Sequence, residues 1–313
     1  MRGRMRCTTM RTLAMASMVA LGVTANVAAE AGAATGSGDQ PGSYVALGDS
    51  YTAGPLINLS FETSQVPVGC AQSRASYPYL VAAALHATSL HDVSCSGATT
   101  GNFTQPQGVL PNGVNPPEFD ALSPKTSLVT IGMGGNDVDL VGLALDCVNL
   151  VPIPVSSPPL GASCAARDTS GGVDRYGQAI EAFGPKFGAD LREVHRLAPN
   201  AKVFVVGYPD VLPMSGDGCW PYVPLLPADM QYVRDKVEQL NAVEEAESKA
   251  NGATFVDTWT SSIGHDACEP IGTAWVNAVV VVPSSFPLHP NAMGEANDAA
   301  QVVKAVRASG WKS

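Results

Sequence analysis

Charge is scarce in this chain, and positive charge scarcest. Only 15% of its 313 residues are charged, with 18 Lys and Arg against 28 Asp and Glu. So few cations give little electrostatic footing for a nucleic acid or an anionic membrane surface. Beyond the N-terminus no run is long and apolar enough to span a bilayer, so stable membrane insertion is not expected. There is no C-x-x-C pair, and no histidine lies at ligand spacing from a cysteine, which argues against zinc. No G-x-x-x-x-G-K-[ST] occurs, nor a G-x-G-x-x-G with its downstream acid, so no phosphate or dinucleotide loop is recognisable. The G-x-S-x-G elbow is missing too, which speaks against an α/β-hydrolase. No internal repeat or low-complexity linker interrupts the main body.

What is present begins with a targeting pattern. Arg2, Arg4, Arg6 and Arg11 precede a short apolar stretch at 12–23, and Val27-Ala28-Ala29 fits a signal-peptidase site. Residues 1–29 therefore read as a secretory signal peptide, 30–42 as a flexible mature N-terminus, and 43–313 as one domain. Removing the four arginines leaves 14 basic residues against 28 acidic ones, a mature charge near −14. Cys7 leaves with the signal. Cys70, Cys95, Cys147, Cys164, Cys219 and Cys268 remain, an even count that implies disulfides in a secreted chain. Six cysteines allow 15 pairings, and spacing alone does not choose among them.

Short apolar, mostly β-branched runs at 43–47, 91–95, 127–131, 203–206 and 254–256 predict strands. Between them lie helical patterns at 77–86, 176–197, 228–250 and 291–308, with Gly184-Pro185 expected to kink or split the second. Alternation of this kind predicts an α/β fold with a central parallel sheet covered on both faces. Ligands then bind beyond the carboxyl ends of the strands. Long Pro- and Gly-bearing loops at 55–76, 98–125, 151–174, 209–227 and 258–288 are of the length used for lids and binding walls.

Four islands carry candidate chemistry. Gly48-Asp49-Ser50 places a serine just past the first strand, as a nucleophile or as part of a helix-capping turn. Cys95-Ser96-Gly97-Ala98-Thr99 puts a glycine after the second strand, where its N–H can approach a ligand or simply make a turn. Gly132-Met133-Gly134-Gly135-Asn136-Asp137 offers the Asn136 amide donor after the third, or a cap for the next helix. Phe286-Pro287-Leu288-His289-Pro290-Asn291 sets His289 on a loop. Pro290 is expected at the first helical position, so the helix terminus would disfavour imidazolium. A serine needs a base within reach, and an ester hydrolase needs donors aimed at the developing oxyanion.

These four islands, in this order, resemble the SGNH hydrolases, also called the GDSL family of esterases and lipases. The strings from Ala46 to Gly54 and from Cys95 to Thr100 are similar to those of secreted actinobacterial members. The resemblance implies a three-layer α/β/α sandwich of flavodoxin-like type, with long loops pinned by the bridges Cys70–Cys95, Cys147–Cys164 and Cys219–Cys268. It implies Ser50 as nucleophile, His289 as general base, and an oxyanion hole of the Ser50 and Gly97 N–H groups with the Asn136 amide. It implies no cofactor and no metal. Many members carry an aspartate three residues before the histidine, but that position here is Phe286. A main-chain carbonyl of Ser285, Phe286 or Pro287 is the expected substitute, with a sequence-distant aspartate as the alternative.

The expected function is a secreted, monomeric serine carboxylic-ester hydrolase, an esterase or lipase acting on a small-molecule or lipid ester. The apolar segments 148–154 and 278–283 could line an acyl pocket, or 278–282 could be a buried strand. A phospholipase A1 and a carbohydrate acetyl esterase are alternatives on the same site. Trp220, Tyr222, Trp259 and Trp275 would suit sugar platforms. An inactive binding protein on the same fold is the non-enzyme reading.

Overall fold

The computed structural model describes residues 42–59, 61–151, 163–215, 218–280 and 284–312. The expected signal peptide and nearly all of the segment 30–42 lie outside them. Strands run in the order β1 (Ser43–Gly48), β2 (Ser89–Asp92), β3 (Gln107–Gly108), β4 (Val114–Asn115), β5 (Leu128–Gly132), β6 (Lys202–Val206) and β7 (Thr254–Val256). Helices are α1 (Ser50–Ala53), α2 (Tyr77–Leu85), α3 (Leu140–Asp146), α4 (Cys164–Asp168), α5 (Arg175–Leu197), α6 (Pro227–Ala250), α7 (Trp259–Ser262) and α8 (Ala292–Ala308).

Five strands form one parallel sheet in the order β2-β1-β5-β6-β7, while β3 and β4 make a separate antiparallel pair. Alternate side chains of the central strands feed two cores. Val45, Leu47, Val129, Ile131, Val203 and Val205 pack with α5 and α6 through Ile180, Phe187, Leu191, Val237 and Leu240. Tyr44, Ala46, Leu128, Phe204 and Val206 face the other way, onto Tyr77, Val81 and Leu85 of α2 and Val302 and Val306 of α8. Each large apolar side chain so buried is worth about 1.5–3 kcal/mol against exposure. These two cores make the predicted three layers, and the strand order has its reversal at β1 and β5. A crevice opens beyond the strand ends at such a reversal.

The register sets that crevice. Gly48 at the end of β1 pairs with Gly132 at the end of β5, so both strands stop level. A Cβ on Gly48 would fall 2.5 Å from the Gly132 carbonyl oxygen and 2.2 Å from Thr52 Oγ1, at a φ of +154°. Only glycine fits this approach. The β2 strand ends at Asp92, earlier than its apolar pattern suggests. Val93 and Cys95 still donate to the carbonyls of Ala46 and Gly48. Asp92 turns its carboxylate onto Ser94 in between and breaks the regular ladder.

Of the kink or split expected at Pro185, the split does not occur, and the helix runs from Arg175 to Leu197. Pro185 and Glu181 are both exposed, so water can take the carbonyl the ring leaves unpaired, while Phe183 and Phe187 stay packed in the core. Pro290 is not the first helical residue of α8. Asn291 is the N-cap, its Oδ1 accepting from Met293 and Gly294 N–H, and the helix starts at Ala292. The three disulfides join Cys70 to Cys95, Cys147 to Cys164, and Cys219 to Cys268. Residues 278–280 form no strand.

Candidate active site

Ser50 is the first residue of α1, directly after β1. Asp49 caps this single turn by accepting from the Tyr51 N–H at 2.8 Å, and its own N–H donates to the Gly132 carbonyl at 2.9 Å. Gly54 closes the turn with a left-handed φ of +64°. A first-turn N–H has no partner within its helix, and that of Ser50 is the first in α1.

His289, 239 residues away in sequence, brings Nε2 to 2.7 Å from Ser50 Oγ. Its Nδ1 lies 2.8 Å from the Pro287 carbonyl oxygen. A carbonyl can only accept, so the proton sits on Nδ1 and Nε2 is left to accept from the serine hydroxyl. Of the three carbonyls offered by Ser285, Phe286 and Pro287, the contact is with Pro287. The Ser285 carbonyl instead accepts from Asn277 Nδ2. Burial pushes the imidazole down to about 4, with the Pro287 contact acting the other way. Desolvation is thus the largest cause keeping this base neutral.

None of the aspartates that could have completed a triad touches Nδ1. Asp49 is bound by Tyr208 and Tyr51, and Asp137 by Thr100. Asp257 accepts from Thr260 N–H and Asp266 from Cys268 N–H.

Asn136 lines the same cleft as Ser50 and His289, and Gly97, which does not line it, sits on a turn tied to the asparagine turn. Gly97 has φ +80°, and a Cβ built there would meet nothing closer than Gln107 Nε2 at 3.7 Å, so its exposed face is open. The Cys95 N–H donates to the Gly48 carbonyl, which ties this turn to the nucleophile strand. Asn136 Nδ2 donates to the Ala98 carbonyl at 2.9 Å. A primary amide has two such hydrogens, so one remains. Asp137 accepts from both the N–H and the hydroxyl of Thr100, fastening the asparagine turn to the glycine turn.

The sequence reading missed the aromatic side of the site. The Tyr51 ring lies tilted against the His289 ring with centroids 4.6 Å apart, and its hydroxyl donates to the Leu288 carbonyl at 2.5 Å. Tyr208 meets the Tyr51 ring edge-on at 4.9 Å. A cleft of about 260 Å³ opens beside Ser50 and His289. Leu140, Val141, Ala144 and Leu145 of α3, with Val233 and Val237 of α6, form its apolar walls. Val148 and Val279, from the two segments proposed for an acyl pocket, line it as well. The rest of those segments falls partly outside the described residues. Trp220, Tyr222, Trp259 and Trp275 do not line the cleft. Trp275 stacks on His265 at 3.6 Å, and Trp259 lies under Arg234.

A buried serine–histidine pair at the reversal point of a doubly wound parallel sheet defines a serine hydrolase. Residues 46–296 match the GDSL-like lipase/acylhydrolase family, and the chain belongs to it. It is a serine ester hydrolase of that type. The chain is 35% identical to Lipase 2 of Streptomyces coelicolor over 288 residues, 91% of each chain. Its fold is similar to the crystal structure of a phospholipase A1 from Streptomyces albidoflavus, with TM-score 0.67 and 27% identity over 85% of this chain and 98% of that one. It is similar also to an extracellular lipase from Streptomyces rimosus, with TM-score 0.66 and 27% identity over 84% and 98%.

Proposed function

We propose that this protein is a secreted lipase or esterase for carboxylic esters with an apolar acyl chain, working through an acyl-enzyme on Ser50. The contact of Ser50 Oγ with His289 Nε2 at the wall of an apolar cleft carries this reading. Ser50 Oγ attacks the ester carbonyl and passes its proton to His289 Nε2. The oxyanion accepts from the N–H groups of Ser50 and Gly97 and from the Asn136 amide. His289 returns the proton to the departing alkoxide, leaving the acyl-serine. Water then attacks the acyl-serine, giving a proton to His289 Nε2, and His289 passes it to Ser50 Oγ as the bond from the acyl carbon to Oγ breaks and the carboxylic acid leaves. The Pro287 carbonyl holds the Nδ1–H throughout. It stabilises the imidazolium less than a carboxylate would, so the site is a dyad. The N-terminal targeting pattern and the extracellular relative support secretion. The protein acts as a monomer on a lipid or small ester, without nucleic acid or membrane insertion.

The cleft volume suggests chain length. An engineered cavity of about 150 Å³ binds benzene, so 260 Å³ has room for roughly ten carbons by proportion. Each buried methylene is worth about 0.8 kcal/mol, roughly fourfold in kcat/KM. Across p-nitrophenyl esters of two to sixteen carbons, kcat/KM should climb to about eight to ten carbons and then level. Ser50→Ala and His289→Ala should abolish turnover on the whole series, since nucleophile and base act as a unit. Undiminished turnover in either variant would remove that residue from the mechanism. Phospholipase A1 activity is a second reading, supported by the similarity to the Streptomyces albidoflavus enzyme. Release of the sn-1 acyl chain from phosphatidylcholine vesicles tests it. A carbohydrate acetyl esterase fits less well, because the aromatic loop residues stand away from the cleft.

A further inference from the structure

Tyr208 follows β6 and is all but buried, 3% exposed, yet it belongs to none of the four islands. Its phenol oxygen sits between the residues that immediately precede Ser50 and Asn136. It donates to Asp49 Oδ2 at 2.6 Å and accepts from the Gly135 N–H at 2.7 Å. The other oxygen of Asp49 accepts from the Tyr51 N–H. One hydroxyl therefore spans the nucleophile turn and the asparagine turn. Tyr208 is itself fixed from α6. Its N–H donates to Asn241 Oδ1 and its carbonyl accepts from Asn241 Nδ2, both at 2.8 Å. Its ring leans edge-on against Tyr51, which in turn lies tilted against His289.

We infer that Tyr208 is a positioning residue for the reaction, holding the Asn136 amide at a set distance from Ser50. The inference rests on Asn136 serving as an oxyanion donor, as proposed above. Such a donor acts only when it stands within hydrogen-bond distance of where the oxyanion forms, and misplacement by about 1 Å forfeits much of its effect. Asn136 lies on a glycine-rich turn that its own backbone closes on the α3 side, with the N–H groups of Val138, Asp139 and Leu140 donating to the carbonyls of Gly134, Asn136 and Gly135. Towards the glycine turn it is fastened by the Ala98 carbonyl and by Asp137 on Thr100, and towards the nucleophile turn, through Gly135, by the Tyr208 hydroxyl. Burial pushes the phenol far above its ordinary range, so it remains a protonated donor wherever the enzyme works. Asp49, the acceptor, is held up to about 7 by the same desolvation.

Tyr208→Phe keeps the ring against Tyr51 and removes only the spanning oxygen. Expected is a fall in kcat of at least tenfold on a p-nitrophenyl ester, with KM unchanged and the folded state retained by circular dichroism. A merely structural hydroxyl would lower the melting temperature and leave the kcat of the folded enzyme intact. Asn136→Ala alone should lower kcat by roughly 10²–10³. In the double variant the two losses should not multiply, because both act through one donor. Gly135→Ala gives a second reading should Tyr208→Phe fail to fold. Its Cβ would stand 3.1 Å from the phenol oxygen and press the same joint from the opposite side. It too should lose kcat at constant KM. A wild-type kcat in Tyr208→Phe, or in Gly135→Ala where that variant is the one read, overturns the inference, and so do losses that multiply fully. A wild-type kcat in Asn136→Ala alone overturns the oxyanion assignment. A loss there beside a wild-type kcat in Tyr208→Phe overturns the positioning role by itself.

Discussion

His289 is kept neutral by its surroundings. Only 4% of it is exposed, and desolvation carries the imidazole from its ordinary 6.5 down to about 4. The base works in its neutral form, so activity should be full above that value and lost as pH falls through it. The acid limb of kcat/KM, read in brief assays from a neutral stock, is expected near pH 4. A limb near 6.5 would describe a solvent-exposed histidine. Ser50, Gly97, Asn136 and His289 could be picked out in the sequence because each sits in a short string with its own turn chemistry. Tyr208 could not, since its partner Asp49 is 159 residues away and a lone tyrosine after a strand has no local signature. The Pro287 carbonyl could be narrowed only to three candidates, because a main-chain acceptor leaves no mark on residue identity.

The elements show where pattern reading runs out. Strand alternation and the long helices α5, α6 and α8 were legible because buried faces repeat over many residues. The seven-residue α3 was not, being too short for a period to emerge, yet it supplies a wall of the apolar cleft. Cys147 caps α3 and is bridged to Cys164 at the start of α4, closing a loop of 17 residues in sequence separation. Replacing both cysteines by serine should cost about 3 kcal/mol of stability, read by urea unfolding. It should also lower kcat/KM for octanoyl esters more than for acetyl esters, because only the long chain reaches the α3 wall. Equal losses on both would separate the bridge from the cleft.

At the scale of the whole molecule, the scarcity of cations leaves several buried acids without a positive partner. Burial holds Asp49 and Asp92 up to about 7 and Asp298 up to about 8, and raises Glu118, Glu244 and Glu295 as well. These acids bind protons more tightly folded than unfolded. The stability they contribute is fully present below the unfolded carboxylate range and is lost as pH rises through 7 to 8. His289 and His91 work in the opposite sense below 6.5, and Glu62, Asp174 and Glu193 lower still, but the raised acids, joined by Asp137, Asp190, Asp210 and Asp266, outnumber them. The melting temperature should therefore be higher at pH 5 than at pH 8, in calorimetry at fixed ionic strength, and the reverse order would contradict these burial shifts. The central claim is that Ser50, activated by His289, is the nucleophile. Peptide mapping after treatment with a fluorophosphonate tests it most directly. One adduct per chain is expected, on Ser50, formed at a rate that collapses in His289→Ala. An adduct on another residue, or labelling of Ser50 at an undiminished rate without His289, would contradict it.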